Sequence, residues 1–243
     1  MTQPTPSSVT TDPRDVFIAQ VVRGKSFADV GGLWGTVNEK VSVAHAAGAR
    51  SLTMIDRVFP SEPWWPAFED RCRSLGVGEV RHISGDIISV AEAAQHPVFD
   101  VVHCGGVLYH APDPIRLLQA LRRITGEYLI LGTLVTSTRV VTELGTVSVP
   151  ESAGLFIPAL QRREREILET YWRRFIGDGA GGLTSPTVWD PGNYEPWWWL
   201  HTVPAVRAMC EVAGFTYLNT SPYWHDNACA MLLTTRTQVR HGT

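Results

Sequence analysis

Three aspartates stand where this sequence would end successive β-strands. Asp29 lies in the apolar run Ser26-Phe27-Ala28-Asp29-Val30, just ahead of Gly31, Gly32 and Gly35; Asp56 closes Ser51-Leu52-Thr53-Met54-Ile55-Asp56; and Asp86 follows Glu79-Val80-Arg81-His82-Ile83-Ser84-Gly85. In a doubly wound sheet, ligands bind outside the carboxyl ends of the strands, so the three carboxylates are expected in one crevice. An acid at the second strand end can accept both hydroxyls of a ribose, and Asp86 can accept from a nucleobase amino group while Ile87 packs on the ring. The plainer alternatives are a helix N-cap or loop acid for Asp56 and a solvated turn acid for Asp86. The glycines let the backbone turn sharply and approach a ligand closely, and the following helix presents its N-terminal N–H groups. Their spacing is not the G-x-G-x-x-G of dinucleotide-binding dehydrogenases.

A second group of residues could act on an acceptor. His110 follows the apolar run Phe99–Gly105 almost directly and is the first candidate for a general base or substrate-orienting group, with His201 the second; a structural histidine is the alternative for each. Trp197, Trp198 and Trp199 are consecutive, so they cannot all face one core, and at least one is expected to line a cavity or interface unless they pack the surrounding segment onto the sheet. Tyr109 and Tyr194 are candidate substrate contacts. Arg57, Cys104 and Gly105, beside the strand ends, complete the expected cofactor-binding set with Asp29, Gly31, Gly32, Gly35, Asp56, Asp86 and Ile87. No H-x-x-x-H or carboxylate cluster has metal-ligand spacing, so no metal is expected.

Positioning these residues takes a regular alternation of strand and helix. A short helix over Asp15–Val22 is expected across the crevice mouth. Helices over Val37–Ala47 (ended by Gly48), Trp64–Leu75 and Ile115–Ile124 (Asp113 as N-cap) separate strands at Ser26, Ser51, Glu79, Phe99 and Tyr128–Val135. Near-continuous apolar strands in such an alternation argue for a parallel sheet covered on both faces. Between 136 and 200 the alternation stops: a basic-acidic helix over Ala159–Phe175 gives way to a Gly- and Pro-rich stretch, read as a substrate-binding or lid insertion. A helix over Val203–Ala213 closed by Gly214, then strands at Phe215–Thr220 and Cys229–Thr235, would complete seven strands. The expected organisation is a disordered tail over 1–13 and one domain over 14–243.

The bulk numbers narrow the partners. At 243 residues with 44% hydrophobic content the chain can bury a full core. The net charge of −3 and the absence of a Lys/Arg block argue against nucleic acid. No apolar run approaches the ~20 residues a membrane span needs. Cys72, Cys104, Cys210 and Cys229 are far apart and form no C-x-x-C pair, which fits reduced thiols in a cytoplasm.

The Asp29–Gly35 segment resembles the D-x-G-x-G-x-G motif of class I S-adenosylmethionine (SAM) methyltransferases, with Leu33 in place of the middle glycine. Gly105-Gly106-Val107-Leu108-Tyr109-His110 and the Asn193–Trp199 segment, followed by a helix ending in Ala213-Gly214-Phe215, more narrowly resemble the group containing the tRNA wobble-uridine carboxymethyltransferases. The resemblance spans about Ser26 to Thr235. It implies a Rossmann-like, seven-stranded, mostly parallel α/β sheet, SAM as cofactor, and methyl transfer to an oxygen, or less readily a nitrogen, of a small metabolite, as in secondary metabolism. A tRNA (carboxy)methyltransferase and a non-catalytic SAM-binding protein of the same fold remain the alternatives. Assembly stays open between a monomer and a homodimer.

Overall fold

A computed structural model describes residues 11–34, 39–58, 62–177, 181–184, 188–190 and 195–236. The strands β1 (Ser26–Val30), β2 (Ser51–Asp56), β3 (Val80–Ser84), β4 (Phe99–Gly105) and β5 (Thr125–Leu134) start within a few residues of their expected positions. They join the C-terminal hairpin β10 (Thr216–Tyr223) and β11 (Ala228–Thr234) in a seven-stranded sheet of order β10-β11-β5-β4-β1-β2-β3. β1 to β5 run parallel, whereas β11 pairs antiparallel with both β5 and β10. The carboxyl ends of all five parallel strands therefore lie along one edge.

Burial follows strand position. β11 is buried throughout, and β1 and β2 at all but their first residue, because helices cover both faces. The outer strands β3 and β10 alternate between half-buried and exposed and carry Arg81 and His82 or Asn219 and Thr220, as edge strands do. Successive strand residues point to opposite faces. Phe27, Met54, Val101 and Ile130 thus meet α1 (Pro13–Val21), α2 (Val41–Ala46) and α3 (Trp64–Ser74), while Ala28, Ile55, Val102 and Leu131 meet α4 (Ile87–Glu92), α5 (Pro114–Ile124) and α8 (Val203–Val212).

The helix starts are written in the sequence. Asp113 accepts the Arg116 N–H with Pro114 in the first helical position, and Thr202 accepts the Ala205 N–H in the same way. Gly48 and Gly214, both at positive φ, turn the chain out of α2 and α8. Several boundaries differ from expectation: α1 starts at Pro13, capped by Asp12 within the stretch expected as a tail, the helix expected over Ala159–Phe175 spans Arg162–Ile176, and β10 runs on to Tyr223. α2 starts at Val41, since Lys40 caps it with its backbone tied to Asp29, and Gly126 belongs to β5, where a side chain would meet the Phe99 carbonyl at 3.2 Å.

The described residues between 136 and 201 form a subsidiary layer with its own core. It contains the ribbon β6 (Arg139–Thr142) with β7 (Gly145–Ser148), the strand β8 (Gly154–Phe156) paired to β9 (Trp199–His201), α6 (Arg162–Ile176) and the short α7 (Gly181–Thr184). Trp172, Ile167, Leu168 and Trp197 pack there with Leu134 and Ala228 of the main sheet. The β10–β11 turn is tied to this layer: Trp224 lies 6.1 Å from Trp172, and the Tyr171 hydroxyl donates to Asn227 at 2.7 Å.

That turn holds Trp224, His225 and Asp226 at φ of 53°, 57° and 64°. Left-handed backbone costs a non-glycine residue about 1 kcal/mol or more. Asp226→Gly is therefore expected to raise unfolding stability by about 1 kcal/mol, read by urea denaturation; a loss of stability would show that the Asp226 side chain does more than occupy the turn.

Candidate functional site

The carboxyl edge is assembled around Asp29, whose side chain is fully buried. One carboxylate oxygen accepts the Lys40 backbone N–H at 2.7 Å, and the other accepts Nδ1–H of His103, 2.7 Å away at the paired position of β4. The glycine loop runs close above this pair. Gly31 sits at φ +77°, where a Cβ would lie 2.6 Å from the Val107 side chain, and a Cβ on Gly32 would lie 2.6 Å from the Asp29 carboxylate. Neither position can carry a side chain without moving its neighbour. Leu33 has no such restriction: its side chain turns into the core beside Val41 and Met54 and is completely buried, leaving the cradle to the backbone.

Asp56 ends β2 on the same edge. Its carboxylate accepts the backbone N–H of Leu33 and of Val58, each at 3.1 Å, which uses about half of its acceptor capacity. Burial raises its pKa above the usual carboxylate range, with the Asp29 charge acting in the same sense against those two hydrogen bonds. Asp86 follows β3 and caps α4, accepting the N–H groups of Ile88 and Ser89 at 2.9 and 3.3 Å. Ile87 is buried in the core beside Ile55, and Cys104 lies fully buried one residue before the end of β4, its thiol pKa pushed up by burial. Gly35 and Tyr194 fall outside the described residues.

His110 lies just past β4, close to the Pro196–Trp198 segment. Its Nδ1–H donates to the Pro196 carbonyl at 3.0 Å, since a carbonyl can only accept, and Nε2 therefore carries the lone pair. Burial lowers its pKa to about 4, and the Arg57 charge at the end of β2 pushes the same way. Tyr109 touches the His110 ring at 4.2 Å and the Trp197 ring at 5.5 Å, and its carbonyl accepts the Trp198 N–H at 2.8 Å. The three tryptophans diverge as consecutive residues must. Trp197 packs edge-on to Trp172, Trp198 faces Phe156 and Trp189, and Trp199 stacks on His201 while its indole N–H donates to the Pro112 carbonyl at 3.1 Å. His201 sits on the β8–β9 ribbon, packed over Gly154, with its pKa lowered to about 4 by burial.

Several residues on this edge were not singled out from the sequence. Arg14, in the first turn of α1, reaches over Gly105 and Gly132, and Tyr223 at the end of β10 meets it there. Asp12 grips the guanidinium through Nε and Nη2, and Lys40 bridges Asp12 and Asp15 at 2.8 and 2.6 Å. Burial works against the Asp12 charge, yet hydrogen bonds from Arg14 and Lys40 outweigh it and hold the carboxyl well below its usual range. His103 did carry a signal: a histidine inside Val101-Val102-His103-Cys104 has to find a buried partner. Arg14 carried none, because nothing near it in sequence marks where an amino-terminal helix will dock. Two open grooves lie away from this edge, one along Glu92, Arg116 and Arg123 and the other beside Phe68, Cys72 and His82. The second is floored by the core residues Phe68 and Cys72, whereas the acids and glycines converge on the carboxyl edge. Among the described residues no cluster of metal-ligating side chains occurs, and no helix is long and apolar enough to cross a membrane.

No protein-family model and no curated protein sequence matches the chain. Solved structures do match its fold. Magnesium protoporphyrin IX methyltransferase (ChlM) from Synechocystis PCC 6803 with bound SAH superposes at a TM-score of 0.55 and 16% identity, covering 92% of this chain and 82% of that one. The 1,6-didemethyltoxoflavin-N1-methyltransferase of Burkholderia thailandensis, with its substrate and S-adenosylhomocysteine bound, gives 0.55 and 14% over 94% and 79%. The mitomycin 7-O-methyltransferase MmcR gives 0.55 and 13% over 91% of this chain and 53% of its own. The chain thus has the Rossmann-like methyltransferase fold.

Two outcomes follow from the site's electrostatics and packing. A histidine held neutral by burial binds its proton more readily once unfolded, so stability is full above about pH 6.5 and falls toward pH 4, where the native His110 and His201 begin to charge. Urea unfolding is expected to lose on the order of 1.4 kcal/mol per pH unit for each histidine in that window. His201→Leu should remove one such contribution, and an unchanged slope would contradict the assignment. Leu33→Gly, which would restore the glycine spacing, is expected to cost about 3 kcal/mol or more through the emptied core site; a neutral change would contradict that placement of the Leu33 side chain.

Proposed function

We propose that this chain is a SAM-dependent methyltransferase acting on an oxygen, less readily a nitrogen, of a small molecule. The observation that carries the proposal is the arrival of Asp29, the Gly31–Gly32 turn, Asp56, Asp86 and Gly105 at a single edge of a sheet in this strand order. The residues fit the cofactor by their chemistry. Gly31 and Gly32 form a cradle that a Cβ would fill, and Asp56 keeps acceptor capacity free for ribose hydroxyls. Asp86 and Ile87 would take the adenine end, with Arg57 and Cys104 bordering the cradle. The bound cofactor supplies an electrophilic methyl group on a sulfonium.

The work left to the chain is alignment and water exclusion, and positioning of this kind can contribute about 7 kcal/mol or more. Tyr109, Trp197, Trp198 and Trp199, together with the described part of residues 136–200 as a substrate-binding lid, would wall the acceptor side. His110 is neutral at pH 7 with its Nε2 lone pair free of the Pro196 contact, so it can take the proton of an acceptor hydroxyl. Its low pKa makes it a weak base, which suits an acidic hydroxyl such as a phenol. His201 would support the same wall through its stack on Trp199. We place the protein, with its four buried free thiols, in a reducing cytoplasm.

A non-catalytic cofactor-binding protein of the same fold would share Asp56, whose two backbone N–H bonds leave acceptor capacity for a ribose in either reading, and would differ only in turnover. For a tRNA-modifying reading the arginines of the 136–200 layer are poorly disposed, because Arg162 and Arg163 pair with Glu166 and Arg174 with Glu143 rather than forming a basic stripe.

Isothermal titration tests the cofactor, and turnover separates the catalytic from the non-catalytic reading. SAM is expected to bind in the micromolar range, with Asp56→Ala weakening it at least tenfold; no heat at high micromolar SAM would overturn the proposal. With candidate hydroxylated acceptors, His110→Ala should lower turnover far more than SAM affinity. Equal turnover would remove His110 as base, and salt-sensitive retention of tRNA would favour the nucleic-acid reading.

A further inference from the structure

At the ends of β4 and β5 the sheet offers three proton donors that no described residue uses. Gly105 and Gly132 are paired across these strands, and the Gly106 N–H donates to the Gly132 carbonyl at 3.0 Å. Arg14 Nη1 lies 3.2 Å from where a Cβ on Gly105 would stand, and the Tyr223 hydroxyl 3.1 Å from where one on Gly132 would stand. The Tyr109 hydroxyl is 3.7 Å from the corresponding point on Gly106. Asp12 occupies Nε and Nη2 of Arg14 but leaves Nη1 without a hydrogen bond among the described residues, and neither phenol has one.

Beneath them lies a fourth group. His103 is 98% buried, given its 2% exposure, and its Nε2 has no partner while Nδ1 is held by Asp29. That Nε2 lies 3.0 Å from the same Gly105 point that Arg14 borders. A buried polar atom without a partner is costly, so Nε2, an acceptor beside Gly105 and Arg14, calls for a proton donor from a ligand at this edge.

We propose that Arg14, Tyr109 and Tyr223 form a site for a carboxylate carried by the methyl acceptor. The inference rests on the methyltransferase reading and adds the substrate class: a small acid. Three donors grouped at neighbouring glycines, with Arg14 over the Tyr223 ring at 4.9 Å, call for a group rich in acceptor lone pairs, and an arginine edge suits carboxylate oxygens. The phenols remain donors at neutral pH, since burial raises both, Tyr223 to about 12. Arg14 and Lys40 balance Asp12 and Asp15, so the site selects by directed N–H and O–H groups rather than by net field. The unused lone pair of His103 would receive a proton donor of the same ligand.

Although Gly105 also borders the cofactor cradle, the phenols lie toward the 136–200 layer, which is the reason to give the carboxylate to the acceptor. Gly132 on β5 lies three strands from Asp56 on β2, about 14 Å at the usual strand spacing, and the two phenols of the site, Tyr109 and Tyr223, pack against the core of the 136–200 layer. The nucleoside acids are on the other side of β1.

The test is a titration with benzoate and its neutral counterpart benzamide, followed by NMR, on the protein alone and with saturating S-adenosylhomocysteine. Benzoate is expected to bind at least tenfold tighter than benzamide. Arg14→Met and Tyr223→Phe should each weaken benzoate at least fivefold while changing S-adenosylhomocysteine affinity less than twofold. Tyr223→Phe keeps the ring beneath the guanidinium, so it reads the hydroxyl even if Arg14→Met fails to fold. Equal binding of the two probes, or no benzoate binding, overturns the site. If Arg14→Met instead weakens S-adenosylhomocysteine but not 5′-deoxy-5′-methylthioadenosine, which lacks the amino-acid carboxylate, the acceptor assignment is overturned in favour of the cofactor's own acid. Absence of S-adenosylhomocysteine binding refutes the methyltransferase reading separately, since the benzoate preference of the protein alone still reports the site.

Discussion

The buried contact between Asp29 and His103 fixes the rest of the edge. A carboxylate with no exposure is tolerable only when its oxygens are hydrogen-bonded, and here one takes the Lys40 N–H and the other the imidazole of the neighbouring strand. These two bonds tie β1 to β4 and pin the far end of the glycine loop to the strand it left. Gly32 must then pass against the same carboxylate, and Gly31 against Val107, so the loop has one path available. Leu33 ends that path in the core, where its N–H meets Asp56 and couples β1 to β2.

From this constraint the edge divides into two halves. Toward β2 and β3 lie acids with backbone partners and acceptor capacity; toward β4, β5 and β10 lie Arg14 and two phenols with donor capacity. The 136–200 layer closes the donor half, because Trp197 touches Tyr109 and the Pro196 carbonyl sets the His110 tautomer. Its attachment to the β10–β11 turn through Tyr171 and Asn227 makes the layer part of the main body.

Much of this was legible in the residues because it depends on short-range periodicity. Apolar runs ending in Asp29, Asp56 and Gly105 specify buried parallel strands, and the caps at Asp113 and Thr202 specify helix starts. Partners across the fold were less legible. Asp86 reads equally as a ligand-binding acid or a turn residue, and in the structure its carboxylate caps α4. The short strands β6 to β9 have three or four residues each, too few for an alternating pattern to stand out. Arg14 becomes part of the site only when α1 docks across β5 and β11, a contact made by residues more than a hundred positions away.

That one sheet edge, pinned by Asp29, receives the adenosyl group can be checked by amide NMR of the protein titrated with S-adenosylhomocysteine. Shifts are expected to be confined to the strand ends at residues 31–33, 56–58, 86–88 and 104–106, with the Leu33 amide, held by Asp56, among the largest. Unmoved amides at these four places, or shifts centred on the opposite edge, would contradict it.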